Sequence, residues 1–249
     1  MLVDVSVLGE RRREVELEAL DEVLEEVRGS DRQRELRLLL SKRNRVAVAG
    51  PVVRPFDDVP DPGIVERVGF SDPQFVVLLA SVACMPDPAC RFTWVRVEVT
   101  LGDDVPAGAP RPVACGFFPE RTDDRVPEVR TLEWSADLSV EALGIPVGPG
   151  LSRTATTTSE VARLQHRVMT FGRFGSQPAW HFAQTSAAPE VTGDLLLSLV
   201  IAVPSGVRAG ASLTVAAEAE LRDVPFRLPL VTHRSGSGLG GGVVSLSVS

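Results

Sequence analysis

From residue 129 to residue 222, apolar and polar side chains alternate in one segment after another. A period of two predicts β-strands with one dry and one wet face. Leu132, Trp134, Ala136, Leu138 and Val140 fall on one side of such a strand. Thr131, Glu133, Ser135, Asp137, Ser139 and Glu141 fall on the other. The pattern returns at Leu213, Val215, Ala217, Ala219 and Leu221, set against Ser212, Thr214, Ala216, Glu218, Glu220 and Arg222. Residues 152–172 hold no proline and many threonines, which predicts one long strand or two short ones. Residues 179–185 predict a short strand around Trp180 and Phe182.

Upstream the pattern differs. Residues 75–84 are apolar nearly throughout, as in a strand covered on both faces. After turn chemistry at Met85-Pro86-Asp87-Pro88-Ala89, residues 90–101 alternate again. Thr93, Val95, Val97, Val99 and Leu101 share one side; Phe92, Trp94, Arg96, Glu98 and Thr100 share the other. The two segments read as a hairpin, and residues 195–203 and 212–221 read as a second one. Seven or eight strands so linked predict a mainly β protein, an antiparallel β-sandwich. A true immunoglobulin domain is not expected. The chain has no tyrosine, and Cys84, Trp94 and Cys115 are too closely spaced.

Proline marks the divisions. None of the 19 lies in residues 1–50, the part most able to be helical. Val3, Val5 and Val7 predict a short strand, which Val15 and Leu17 either join or follow as the start of a helix. Leu17, Leu20, Leu24 and Val27 recur at helical spacing, and Gly29 suits a helix end. Ser30 or Asp31 suits the cap of a second helix carrying Leu36, Leu39 and Leu40. Residues 55–63 read as a proline- and aspartate-rich loop. The expected organisation is a helical or α+β module at 1–45, a sandwich at 46–232 and a tail at 233–249. The tail opens with the flexible-linker composition Ser235-Gly236-Ser237-Gly238-Leu239-Gly240-Gly241-Gly242. It ends with Val244, Leu246 and Val248 alternating with serines, a miniature strand.

Composition narrows the function classes. A formal net charge of −7 argues against a general nucleic-acid binder. The acidic surplus lies in residues 51–128, largely as loop aspartates, while the first fifty and last 121 residues are close to balanced. No basic stretch followed by an apolar run opens the chain, so a cytoplasmic protein is the expectation, with Cys84, Cys90 and Cys115 as free thiols. The Arg11-Arg12-Arg13 cluster is followed by Glu14, Glu16 and Glu18, which reads as a solvated face.

Catalytic motifs are lacking. There is no nucleophile elbow, no phosphate-binding loop and no dinucleotide fingerprint. His166, His181 and His233 are widely separated. A non-enzymatic protein without a cofactor is therefore expected. The five-residue gap between Cys84 and Cys90 exceeds the usual spacing of paired zinc cysteines, which favours buried apolar roles. Three similar acidic loops, Asp57-Asp58, Asp103-Asp104 and Asp123-Asp124, suit a calcium site if the fold gathers them, and ordinary turn chemistry if it does not. Trp94, Trp134, Trp180, Phe92 and Phe182 are expected in the core.

Two functional readings follow. In the first, the chain binds a protein partner or itself, and Val244, Leu246 and Val248 dock by strand addition to a sheet edge. In the second, strands rearrange into a membrane-spanning β-barrel, the one case in which a membrane is a partner. Residues 195–203 have a suitable length of ~9–11 residues, and the segments 152–159 and 211–222 suit one lipid face and one water face. A calcium-binding sandwich is the third.

Overall fold

The computed structural model describes residues 13–19, 21, 24–25, 32–56, 61–136, 153–232 and 244–245. It is mainly antiparallel β, as the alternation predicts. The strands are β1 (Arg13–Ala19), β2 (Arg45–Pro55), β3 (Gln74–Met85), β4 (Cys90–Leu101), β5 (Val113–Phe118) and β6 (Thr122–Ala136). They continue with β7 (Arg153–Phe171), β8 (Ala179–Ala183), β9 (Gly193–Val203), β10 (Gly210–Leu221), β11 (Arg227–Thr232) and β12 (Val244–Ser245). Two helices of described extent accompany them, α1 (Gln33–Leu40) and α2 (Pro62–Val68), and Asp21, Leu24 and Glu25 are helical as well. The strand order is β5-β9-β3-β2-β1-β11-β10-β4-β8-β7-β6, with β12 added to β10.

Two compact units divide the chain: Met1–Asp123 with His166–Ser249, and Asp124–Gln165. In the first unit β1 is the seam between two layers. Its residues 13–16 pair with β2, and its residues 17–19 pair with β11. One core cluster takes side chains from both sides of that seam. Val76, Leu78, Val82, Leu199 and Ile201 come from one layer; Phe92, Val97, Leu101, Val215 and Leu228 come from the other. Burying each such side chain contributes about 1.5–3 kcal/mol. β3 is covered on both faces, as its apolar run predicts. Its second face carries Val77 and Leu79, buried in a small cluster with Ala49 against which Val52, Phe56 and Val200 pack.

Neither expected hairpin forms. β3 pairs with β2 and β9, whereas β4 pairs with β10 and β8. β9 likewise pairs with β3 and β5, not with β10. The turns after β3 and β9 therefore carry the chain from one layer to the other. Turn residues favour a reversal of direction but leave open whether the next strand lies beside or across.

The faces of β4 also differ from simple parity. Trp94 pairs with Glu218 and Phe92 with Ala219, so Thr93 is an extra residue, a β-bulge. The bulge puts Phe92 in the core cluster with Val95, Val97 and Val99, while Trp94 is half-buried and stacks near His181 at 5.6 Å.

In the N-terminal region Val15 and Leu17 belong to β1, and α1 carries Leu36 and Leu39 into the core. Its N-cap position is Arg32, with no side-chain cap bond. The end of the expected loop at 55–63 instead starts α2. The Asp61 carboxylate caps it by accepting the Gly63 N–H at 2.8 Å, Pro62 opens it, and Gly69 at φ 69° ends it. The expected strand at Val3, Val5 and Val7 lies outside the described residues.

Candidate functional site

Three places bear on function: the base of the β6–β7 pair, the edge of β10, and the acidic loops.

β7 runs for 19 residues, yet among the described pairings it takes β8 only at residues 168–171. Its other neighbour is β6, of 15 residues, which ends the strand order. The body around the start of β6 and the end of β7 is tightly bonded. The Trp180 indole N–H donates to Pro119 O at 3.0 Å, and the Trp180 ring meets Phe117 edge-on at 5.3 Å. Arg173 pairs with Glu120 at 2.9 Å. Gly172 turns the chain at φ 77°. Beyond it, the Phe174 N–H donates to Ala114 O at 2.7 Å, and the Ala114 N–H donates to Gly175 O at 3.0 Å. Phe174 itself sits at φ 61°, a conformation that costs a non-glycine residue of order 1–3 kcal/mol. The Arg67 guanidinium of α2 lies over its ring at 5.8 Å from the centroid. Leu101 and Val99 donate to Ser176 O and Pro178 O, both at 2.9 Å, so the same loop joins β5 to β4.

β10 carries the tail strand. Gly210 pairs with Ser245 and Ala211 with Val244, in antiparallel register within the same chain. Leu246 and Val248 lie outside the described residues. β4 covers one side of β10 along residues 211–221, while β11 covers the other only along residues 216–220. Thr232 ends that second ladder. Its buried hydroxyl accepts the Val215 N–H at 3.1 Å and donates to Val215 O at 3.2 Å.

The acidic loops divide. Asp104 belongs to the start of β10, where its carboxylate accepts the Gly210 N–H at 2.7 Å. Asp103 faces the Ser212 hydroxyl at 3.5 Å. Asp123 accepts from Arg121 at 3.0 and 3.1 Å. Asp124 follows it in β6, and Asp57 and Asp58 lie outside the described residues. Among the described residues no three acids, histidines or cysteines gather as metal ligands.

Cys84, Cys90 and Cys115 are free and buried. Burial, with the Asp194 charge added, pushes the Cys84 thiol up to about 12; burial pushes Cys115 up to about 11 and also raises Cys90. Burial, with help from Arg96, lowers His181. Thiols held protonated in this way are poor nucleophiles and poor metal ligands.

No family profile matches this chain, and no curated protein is similar to it in sequence. Among the solved structures similar to it are two that match over most of its length. One, titled "pore forming protein", is 8% identical with a TM-score of 0.33, over 78% of this chain and 83% of that one. The other, Clostridium perfringens delta-toxin, is 9% identical with a TM-score of 0.31, over 78% of this chain and 81% of that one.

Proposed function

We propose that this chain is a non-enzymatic, membrane-active protein, several copies of which combine their β6 and β7 segments into a β-barrel pore. The observation that carries this reading is the β6–β7 pair: strands of 15 and 19 residues, most of whose length belongs to a compact unit of its own, Asp124–Gln165. At ~3.3 Å per residue, 15 residues extend about 50 Å. A bilayer core of ~30 Å takes tilted strands of only ~9–11 residues. The sequence of this segment suits both surroundings. Leu132, Trp134 and Ala136 alternate with Thr131, Glu133 and Ser135, and residues 142–159 hold a single charge, Arg153. Two strands have unpaired edges, which hydrocarbon does not tolerate, so a spanning structure needs several copies closed into a barrel.

This moves the membrane segment along the chain. Residues 195–203 had the right length and 211–222 the right alternation, but β9 and β10 are central strands whose side chains fill the core. Of the three segments read from sequence, only 152–159 falls in the β6–β7 pair. Among the described residues no helix is long and apolar enough to cross a bilayer, which leaves spanning by strands open.

The test is dye release from phosphatidylcholine vesicles, with and without anionic lipid. Wild-type chain releases the dye; a variant with residues 131–159 replaced by a Gly/Ser linker does not. A fluorophore on Leu138→Cys shifts its emission to the blue as vesicles are added. Vesicles that stay intact at micromolar protein, or leakage that survives the replacement, refute the reading.

The assembly reading keeps an observation of its own, the pairing of β12 with β10. In this second reading the tail is a docking strand and self-association is the function.

A further inference from the structure

The outer face of the second layer carries a strip of rings that the core does not use. Strands β4, β8 and β7 lie side by side, with Arg96 opposite His181 and His181 opposite Met169. Trp94 lies one row to one side of that line, opposite Ala183, and Phe171 lies one row to the other side, opposite Ala179. Alternate residues of a strand share a face, and the intervening Val95, Val97, Val168, Trp180 and Phe182 belong to the core. Trp94, His181 and Phe171 therefore run diagonally across three strands on the face away from the core. Diagonal neighbours stand ~7–8 Å apart, so the strip is ~15 Å long. The Trp94 and His181 rings sit 5.6 Å apart. Phe171 is 48% exposed, while Trp94, His181 and Met169 are half-buried. A contiguous apolar strip left in water is the mark of a contact surface.

The polar groups beside the rings are of both signs. Arg96 donates to Glu98 at 2.9 Å and is still 46% exposed. Arg167 lies on the same face of β7, and Glu218 lies opposite Trp94 on β10. Two arginines thus stand against two glutamates, and no surplus charge draws a polyanion or a polycation. Burial and the Arg96 charge both lower His181, which leaves its ring neutral at pH 7.

We propose that this strip is a binding site for an uncharged oligosaccharide. The C–H groups on one face of a sugar ring are weakly positive and meet the negative face of an aromatic ring. Sugar hydroxyls both donate and accept, and the Arg96–Glu98 pair offers donors and acceptors beside the rings. A length of ~15 Å suits several linked sugars better than one. A nucleic-acid strand also stacks on rings, but it needs a basic track for its phosphates, which the balanced charge does not supply. A bilayer surface accepts Trp94 and Phe171, but it would desolvate Glu98 and Glu218 at a cost. The strip lies within the first compact unit, and the proposal rests on neither reading above.

The experiment passes full-length chain, labelled at its N-terminus, over an array of neutral, sialylated and sulfated glycans. Saturable binding to a neutral oligosaccharide is expected, and calorimetric titration with that oligosaccharide in solution measures it. Phe171→Ala and Trp94→Ala should each weaken it about tenfold or more, and Trp94→Phe should keep most of it. Urea unfolding checks that the variants are folded, and the exposed Phe171 is the safer of the two. Binding to no neutral glycan, binding to charged glycans alone, or neutral binding unchanged in both alanine variants overturns the proposal. Capture by phosphatidylcholine vesicles through the same two side chains, with no glycan bound, also overturns it and assigns the face to a membrane. Dye release from glycan-free vesicles tests the pore separately, and neither result decides the other.

Discussion

Replacing Gly172 by alanine tests the loop that joins β5 to β4 at the base of the β6–β7 pair. Two costs arise. Gly172 sits at φ 77°, where an L residue loses ~1–2 kcal/mol. An added Cβ would also lie 2.5 Å from Gln177 O and 3.0 Å from Pro178 Cα, both rigid backbone. The loop must then shift by several tenths of an ångström. The bonds from Leu101 to Ser176 O and from Val99 to Pro178 O run through the same segment, each worth about 1 kcal/mol net. The sum is ~3–4 kcal/mol. Gly206 supplies the control, since it has φ 75° but nothing within 4 Å of a built Cβ. Gly206→Ala therefore costs only the conformational ~1–2 kcal/mol. The assay is urea unfolding followed by tryptophan fluorescence, with both variants compared at matched slope. A difference of about 2 kcal/mol between them is expected, that being the two weakened bonds. Equal costs, within the ~10–15% uncertainty of the extrapolation, refute the claim that close packing at Gly172 holds the loop.

Thr232→Val keeps the shape but removes the hydroxyl that serves both backbone groups of Val215. A loss of ~2–4 kcal/mol is expected, with faster hydrogen exchange at the Val215 amide, and unchanged exchange there contradicts the capping role. Glu220 is buried and faces Arg91 at 3.0 Å and Arg227 at 3.5 Å. Because both arginines are partly exposed, Glu220→Gln should cost only ~1–3 kcal/mol, and less in an Arg91→Met background; an undiminished loss there removes Arg91 as the partner. Cys84 rises from an ordinary value near 9.0 to about 12 on folding. The unfolded chain then loses its proton first, so stability is full below pH 9 and falls from there toward pH 12, by at most ~1.4 kcal/mol per pH unit for this thiol. Cys84→Ala should flatten that slope in urea titrations; a slope that persists unchanged assigns it to another group.

The alternation of apolar and polar residues determined part of the strand pattern. It placed β4, β8 and β10 within two residues, because a half-buried strand writes its burial into a period of two, whereas β7 was read from its threonines, β9 from its length, and β6 begins at Thr122, well before the alternation that starts at residue 129. The unbroken apolar run of β3 foretold cover on both faces, which the two clusters supply. The helix α2 was legible but unread: Asp61, Pro62 and Gly69 are its start and stop signals. The candidate site was less legible. Of the strand expected from the tail only Val244 and Ser245 are described, while Asp104 serves the start of β10, 106 residues away.

Pairing belonged to the tertiary structure alone. Hydrogen bonds between strands are made by backbone groups that every residue carries, so sequence does not say which strand lies beside which. For that reason β3 and β4 read as a hairpin and instead lie in different layers. Phe92 changed faces because one extra residue, Thr93, shifts the register against β10. The same cause separates β9 and β10 from β7. Sequence alone marks all three as strands. The fold commits β9 and β10 to the core, while among the described pairings β7 meets β8 at residues 168–171.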